Sequence, residues 1–307
     1  MLAADLDSRI ASLAAAFQRR EPFRHVVIEH FFDTASATQL LADFPAFERG
    51  NARNEDGGIG NKSTVEKIRE LGPAYAALDD LVQSPAFLQR LSAITGIADL
   101  RYDPWYFGGG THENRNGQDL DPHVDFNRHP VEPWHRRLNL IVYLNPQWED
   151  HWGGLLELHS DPRADDDRIT RIAPLFNRGV IFETTEWSWH GFERIAVPAG
   201  REDVTRRSIA LYFYTTERPA EELAPTHSTI YVERPLPERF RAGMTLSEDD
   251  VGELRNLLAR RDQHNQRLYR ELSELNQRYE QTREALERGL IGRLRYYARR
   301  LLARRVR

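Results

Sequence analysis

The chain has no cysteine. Disulfides, thiolate nucleophiles and cysteine-bound zinc are thereby excluded, and any metal must be held by His, Asp or Glu. Lysine is almost absent too: of 42 basic residues only Lys62 and Lys67 are lysines. Arginine, with its flat fork of donors, is therefore the available partner for a carboxylate. No apolar run approaches the ~18 residues of a membrane span, and Asp5, Asp7 and Arg9 interrupt any signal-peptide core. A cytoplasmic protein is the expectation. A net charge of −5 gives no pull toward nucleic acid, and none is expected as a partner.

What is present is enough apolar material for one large domain with an appendage: 307 residues, 40% of them hydrophobic. Residues 5–19 read as an amphipathic helix, 25–32 as a strand, and "TASATQLLADF" (34–44) as a helix capped by Thr34 or Ser36. Residues 50–63 are a polar, Gly-rich loop, and 64–95 are helical with breaks at Gly72-Pro73 and Ser84-Pro85.

From about 100 to 232 the texture changes. Short runs such as "LNLIVYLN" (138–145), "GGLLELHS" (153–160), "GVIFET" (179–184) and "RSIALYFYT" (207–215) are separated by turn residues. They predict an all-β sandwich or barrel. After the Pro-rich "ERPLPERF" (233–240), residues 247–303 lack proline and read as helix. Leu268, Leu272, Leu275, Tyr279 and Leu286 follow heptad spacing, compatible either with packing on the barrel or with a homodimeric coiled coil. The final "GLIGRLRYYARRLLARRVR" holds seven arginines and no acid, a solvated tail or a contact for a membrane surface. The domain expectation is a helix-and-strand support over 1–98, a β core over 99–235 and a helical, basic extension over 244–307.

Chemistry concentrates at "PHVDFNRHP" (122–130). On a strand, positions i and i+2 share a face, so His123 and Asp125 stand side by side. His190, in "EWSWHGFERI", is the candidate third ligand. Two imidazoles and one carboxylate leave adjacent coordination positions open, as non-haem Fe(II) oxygenases require. In "TRRSIALYFYT", Arg207 shares a face with Ile209, Leu211 and Phe213 and is expected to point inward as a carboxylate clamp, with Arg206 facing solvent. Tyr143 shares a face with Asn139 and Ile141 and could add a phenolic hydrogen bond. Asn139, Asn127 and Glu183 are candidates to orient the ligands. His112, His129 and His135 read as surface-loop residues or as substrate contacts, and Trp187 and Trp189 as packing around the His190 turn or as lining of the substrate mouth. The triplet Gly108–Gly110 lacks the following helix of a phosphate loop, and Glu183 with Glu186 is a poor carboxylate pair for glycoside hydrolysis.

The order H-x-D, "RRLNLIVYLNPQW" with "WGGLLELH", His190, then "RRSIALYFYT" resembles the iron(II)- and 2-oxoglutarate-dependent dioxygenases, and within them the prolyl-4-hydroxylase-like branch. The resemblance spans roughly residues 99–216. It implies a mainly β fold with flanking helices, a double-stranded β-helix (jelly roll, cupin-like) carrying the iron at its open end. It implies that His123, Asp125 and His190 bind Fe(II), that Arg207 pairs with the distal carboxylate of 2-oxoglutarate, and that Tyr143 and Leu156 line the co-substrate pocket. The family's further aromatic falls at Tyr102 or Tyr106. The implied activity couples hydroxylation of an unidentified substrate to decarboxylation of 2-oxoglutarate, with O2 as oxidant and ascorbate as a candidate auxiliary. "GGGTHENRNGQDLDP" departs from the family as an insert. The competing reading is a non-catalytic jelly-roll binding module with a coiled-coil assembly tail.

Overall fold

The computed structural model describes residues 1–18, 21–53, 59–201, 203–237 and 239–287. The chain divides into two units, Met1–Pro235 and Leu236–Arg307. In the first, α1 (Leu6–Phe17), β1 (His25–Ile28) and α2 (Thr34–Ala42) precede a hairpin of β2 (Asn51–Arg53) and β3 (Ile59–Val65). Two further helices follow, α3 (Pro73–Val82) and α4 (Pro85–Thr95), each opened by a proline whose missing N–H costs nothing in the first turn. The α2 cap is Asp33, whose Oδ1 accepts from the Ser36 backbone N–H at 2.8 Å; the hydroxyls of Thr34 and Ser36 do not serve. Residues 50–63, expected as loop, contain the β2–β3 hairpin.

The β region begins with β4 (Arg101–Tyr102), β5 (Gly110–Asn114) and β6 (Leu120–Val124). The sequence read as an insert is thus the turn and two strands of the barrel itself. There follow β7 (His135–Tyr143), β8 (Leu156–His159), β9 (Ile169–Ile172), β10 (Arg178–Glu183), β11 (Trp189–Phe192), β12 (Arg206–Thr215) and β13 (Ile230–Tyr231). All pairs are antiparallel. One sheet runs β1-β10-β7-β12-β5-β3-β2 with β4 beside β12, and the other β13-β6-β11-β8-β9. Together they form the double-stranded β-helix.

The larger sheet has two very different faces. Leu138, Leu140 and Val142 of β7 and Ile209, Leu211 and Phe213 of β12 pack against α1, α3 and α4 in the main apolar core. Antiparallel sheets commonly pair one apolar face with one polar face. Here the apolar face is covered by helices, which leaves the mixed face, with Asn139, Tyr143, Ser208 and Tyr212, turned into the barrel. A bulge on β7, where Arg137 has no partner between Phe213 and Tyr214 of β12, sets Tyr214 opposite Arg136 and returns Arg136 to the barrel side.

The second unit contains α5 (Glu248–Glu287), a 40-residue helix. Its apolar residues Leu268, Leu272, Leu275, Tyr279 and Leu286 are each more than half exposed. The helix expected to 303 is described to 287, and the arginine-rich end lies outside the described residues. Among the described residues no helix is long and apolar enough to cross a membrane.

Candidate metal centre

Strands β6 and β11 are neighbours, and their register sets His190 directly opposite His123. The two rings lie 4.2 Å apart between centroids. Asp125 follows at the end of β6, on the same face as His123. Donor atoms of His123, Asp125 and His190 all fall within 4.8 Å of one another, and all three residues are buried. The separations from Nε2 to the nearer carboxylate oxygen are 3.8 Å for His123 and 3.6 Å for His190.

Local hydrogen bonds decide which ring nitrogens face inward. His123 Nδ1 lies 2.9 Å from the Asp121 carbonyl, and His190 Nδ1 lies 2.9 Å from the Ser188 carbonyl. A carbonyl only accepts, so each Nδ1 carries the proton and each Nε2 offers its lone pair to the shared space. Burial keeps the rings neutral: it lowers His123, and it pushes His190 down to about 3, with His123 beside it adding to the effect. Burial alone would raise the Asp125 carboxyl. The Arg136 guanidinium leads the groups that outweigh it, and the carboxyl stays well below its ordinary range. Two neutral imidazoles and one carboxylate are the donor set a divalent metal requires. Cis ligands around an octahedral ion at about 2.1 Å stand roughly 3 Å apart, so a small contraction would seat one.

Asp125 is held by two partners. Asn139 Nδ2 donates to Oδ2 at 2.7 Å, and Arg136 Nη2 lies 3.2 Å from the same oxygen. Arg136 is wholly buried, its guanidinium clamped 3.6 Å from the Tyr212 ring centre and 4.4 Å from that of Phe126. It also donates to Asn139 Oδ1 through Nε and Nη2. Of the expected orienting residues, Asn139 takes the role. Asn127 instead donates to the Pro225 carbonyl at 2.8 Å, and Glu183 is engaged by Arg24 and Arg137. Sequence alternation alone hides Arg136, because the bulge reverses its side.

The arginine expected to point inward is corrected by one residue. Arg207 lies on the helix-covered side of β12, where Nε donates to Glu113 at 3.2 Å and the guanidinium stacks over Phe44. Arg206 is the buried one, inside the barrel. Its Nε donates to the Gly154 carbonyl at 2.7 Å and its Nη2 to the Tyr143 hydroxyl at 3.1 Å, and it lies over the Tyr143 and Phe192 rings. Among the described residues it has no carboxylate partner, and burial lowers its pKa, with Tyr143 opposing. The reason is facial: the apolar run Ile209, Leu211, Phe213 belongs to the helix core, so the arginine in phase with it is outside.

Tyr143 sits opposite Ser208 with no exposure, and its phenol is raised by burial, Arg206 opposing. Leu156 packs with Tyr143 and Phe182. Neither candidate upstream aromatic faces this space: the Tyr102 hydroxyl donates to Gln83 and that of Tyr106 to Asp79, both on or beside α3. His112 is on β5, paired with Ser208, and His129, in the connection between β6 and β7, is buried 3.2 Å from Asp103, so neither is a surface-loop residue. His135 is likewise buried, at the start of β7. Trp189 is buried and Trp187 half-exposed.

Residues 109–214 match the family model of the 2OG-Fe(II) oxygenase superfamily. Mouse prolyl 3-hydroxylase OGFOD1 is 30% identical over 135 residues, 40% of this chain and 23% of the mouse protein. The chain therefore spans under a quarter of that relative's length. Among solved structures, a prolyl hydroxylase from Trichoplax adhaerens, in complex with a hypoxia inducible factor oxygen degradation domain peptide fragment, superposes with a TM-score of 0.50 at 16% identity. That match covers 68% of this chain and 92% of the other. A prolyl 4-hydroxylase from Phytophthora capsici matches with a TM-score of 0.48 at 19% identity, over 85% and 76% of the two chains.

Proposed function

We infer that this chain, which belongs to the 2OG-Fe(II) oxygenase superfamily through residues 109–214, is an Fe(II)- and 2-oxoglutarate-dependent hydroxylase. One observation carries the reading: three metal-type donors converge within 4.8 Å in a barrel that also buries a guanidinium lacking a carboxylate partner. His123, Asp125 and His190 would hold the iron through both Nε2 atoms and the Asp125 carboxylate. When bound, ferrous iron supplies the centre at which 2-oxoglutarate and O2 react, so that hydroxylation of the substrate accompanies release of succinate and CO2.

The remaining work belongs to the protein. Arg206 offers its free guanidinium edge to the distal carboxylate of the co-substrate, Tyr143 orients that edge, and Leu156 closes the apolar side. Asn139 and Arg136 fix the Asp125 carboxylate so that one oxygen stays turned to the metal. Helix-backed walls exclude water from the donors. The mouse relative is named for proline hydroxylation, and a prolyl residue is one candidate substrate beside an amino acid, a glycan or a natural product. For the second unit, we propose that the exposed heptad face of α5 pairs with a second copy of the chain.

The decisive experiment is anaerobic addition of Fe(II) and then 2-oxoglutarate to the full chain. A visible charge-transfer band should develop only with both present, and admitting O2 should yield succinate. His190→Ala should abolish both signals. Failure of the wild-type protein to bind Fe(II), or to bind 2-oxoglutarate once loaded, would reject the oxygenase assignment.

A further inference from the structure

A second set of basic groups lies at the end of the barrel that carries the metal-type donors. Arg128 is three residues beyond Asp125, within roughly 10 Å of it along the chain. It forms an isolated antiparallel bridge with His135, so the two side chains emerge together. His135 is only 8% exposed and immediately precedes Arg136, which holds Asp125. Neither the His135 imidazole nor the Arg128 guanidinium has a hydrogen-bond or carboxylate partner among the described residues. An unpartnered imidazole beside an unpartnered guanidinium, with their nitrogens within reach of solvent, presents donors with no acceptor opposite them.

The surroundings deepen the deficit. Arg137 and Arg218 also face His135 electrostatically. Arg137 Nη2 lies 3.4 Å from both Glu183 and Glu222, Arg218 Nε lies 3.2 Å from Glu222, and Arg24 draws on the same two acids. Three guanidinium groups therefore share two carboxylates, and with the unpartnered Arg128 the excess is two positive charges before His135 is counted. Arg218 also donates to the carbonyls of Arg136 and Thr184, which anchors the group to β7 and to the loop that leads into His190. Burial, followed by Arg128, Arg218 and Arg137, depresses His135 to about 4.

We propose that Arg128 and His135 form an oxyanion subsite at the rim of the barrel, placed to hold a carboxylate or phosphate group carried by the substrate. It rests on the oxygenase reading for its role in substrate binding, and it narrows the substrate class to anionic molecules. Arg128 supplies the charge and a forked pair of N–H donors, and His135 adds one N–H once an anion offsets the neighbouring arginines.

The probes are inorganic phosphate and acetate, titrated into the full chain at constant ionic strength with chloride as the balancing anion. Histidine ring resonances are followed by NMR, and Mn(II) binding is measured in parallel. The subsite predicts a saturable shift of the His135 resonances and an upward move of its titration midpoint by at least about one pH unit. Phosphate acting more strongly than acetate identifies the dianion as the preferred group, and the reverse identifies a carboxylate. Arg128→Ala should weaken the response about tenfold or more, and Arg128→Lys should restore part of it. A response reproduced by chloride, or a saturable one indifferent to Arg128→Ala, overturns the subsite. If Mn(II) binds and His135 does not respond, only the subsite falls. If His135 responds and Mn(II) does not bind, it is the oxygenase reading that fails.

Discussion

Two adjacent arginines with opposite surroundings make the sharpest contrast at the scale of single residues. Arg206 is buried without an anion, whereas Arg207 is partly exposed and already paired with Glu113. Arg206→Ala should weaken 2-oxoglutarate binding by on the order of 2–5 kcal/mol, the usual effect of removing one partner of a buried charge pair. Arg207→Ala should change it by less than about 1 kcal/mol, as for a surface pair. Calorimetric titration of 2-oxoglutarate into the metal-loaded protein separates them, and equal losses would contradict the assignment. Burial of the imidazoles has a second consequence. Below pH 6.5 an ordinary histidine pair loses metal to protons, but His190 is held neutral to about pH 3 and His123 is also lowered. Mn(II) affinity should therefore stay nearly constant from pH 7.5 to 6, where two unshifted histidines would already weaken it. The metal-free fold behaves oppositely. A lowered folded-state pKa means that the unfolded chain binds more protons below 6.5. Stability should thus decline as pH falls from 6.5 toward 3 for His190 and toward 4 for His135. Urea midpoints at pH 7.5, 6 and 5 test the sign, and a midpoint rising toward acid would refute it.

Elements explain what could and could not be read from the chain. The convergence of His123, Asp125 and His190 was legible because it depends on i, i+2 geometry and a pair of neighbouring strands, both robust to small errors in register. The inward arginine was not, because alternation says which residues share a face but not which face is inside. Consistency between strands held the missing signal. On β7 the polar face carrying Asn139 and Tyr143 was taken as inward, so the adjacent β12 must also turn inward its mixed face, with Arg206, Ser208 and Tyr212. Helices over 64–95 were legible from their prolines. The short β5 was not, since its residues Gly-Thr-His-Glu-Asn include only one β-branched residue, and β6 was legible only around His123 and Asp125. A turn also contributes directly to the proposed clamp. Gly153 and Gly154 have φ of +66° and +67°, and a Cβ on Gly153 would stand 2.1 Å from the Arg194 carbonyl oxygen. Since the Gly154 carbonyl accepts from Arg206, Gly153→Ala should cost on the order of 1–3 kcal/mol of stability and weaken 2-oxoglutarate binding as well. Gly200→Ala is the control: its φ is +84° but nothing lies within 4 Å, so it should cost less and leave binding unchanged. Urea denaturation with parallel co-substrate titration would expose an equal effect of the two, which would dissociate this turn from the clamp.

For the molecule as a whole, the open question is what covers α5. Counting back from the exposed seam, the same 3-and-4 spacing reaches Leu254, Leu258, Arg261 and Asn265 before Leu268. Two polar residues in succession therefore interrupt the seam, and its mainly apolar part runs from Leu268 to Leu286 with Thr282 at one seam position. That is about 28 Å of helix at 1.5 Å per residue. Leu268, Leu272, Leu275, Tyr279 and Leu286 are 52–63% exposed, so each would gain on the order of 1 kcal/mol on burial against a partner. So short a seam must offset the loss of translational and rotational freedom, which supports a dimer of roughly micromolar affinity and not a permanent one. An Asn at a seam position, as at Asn265, favours one register over its alternatives at a cost in stability. Sedimentation velocity on the full chain should show a monomer–dimer equilibrium that moves with protein concentration. Leu272→Glu combined with Leu275→Glu should shift it to monomer without altering the unfolding of the barrel, and Asn265→Leu should tighten it. A chain that stays monomeric far above micromolar concentration, or a dimer that survives the double substitution, would mean that this face meets something other than a copy of itself.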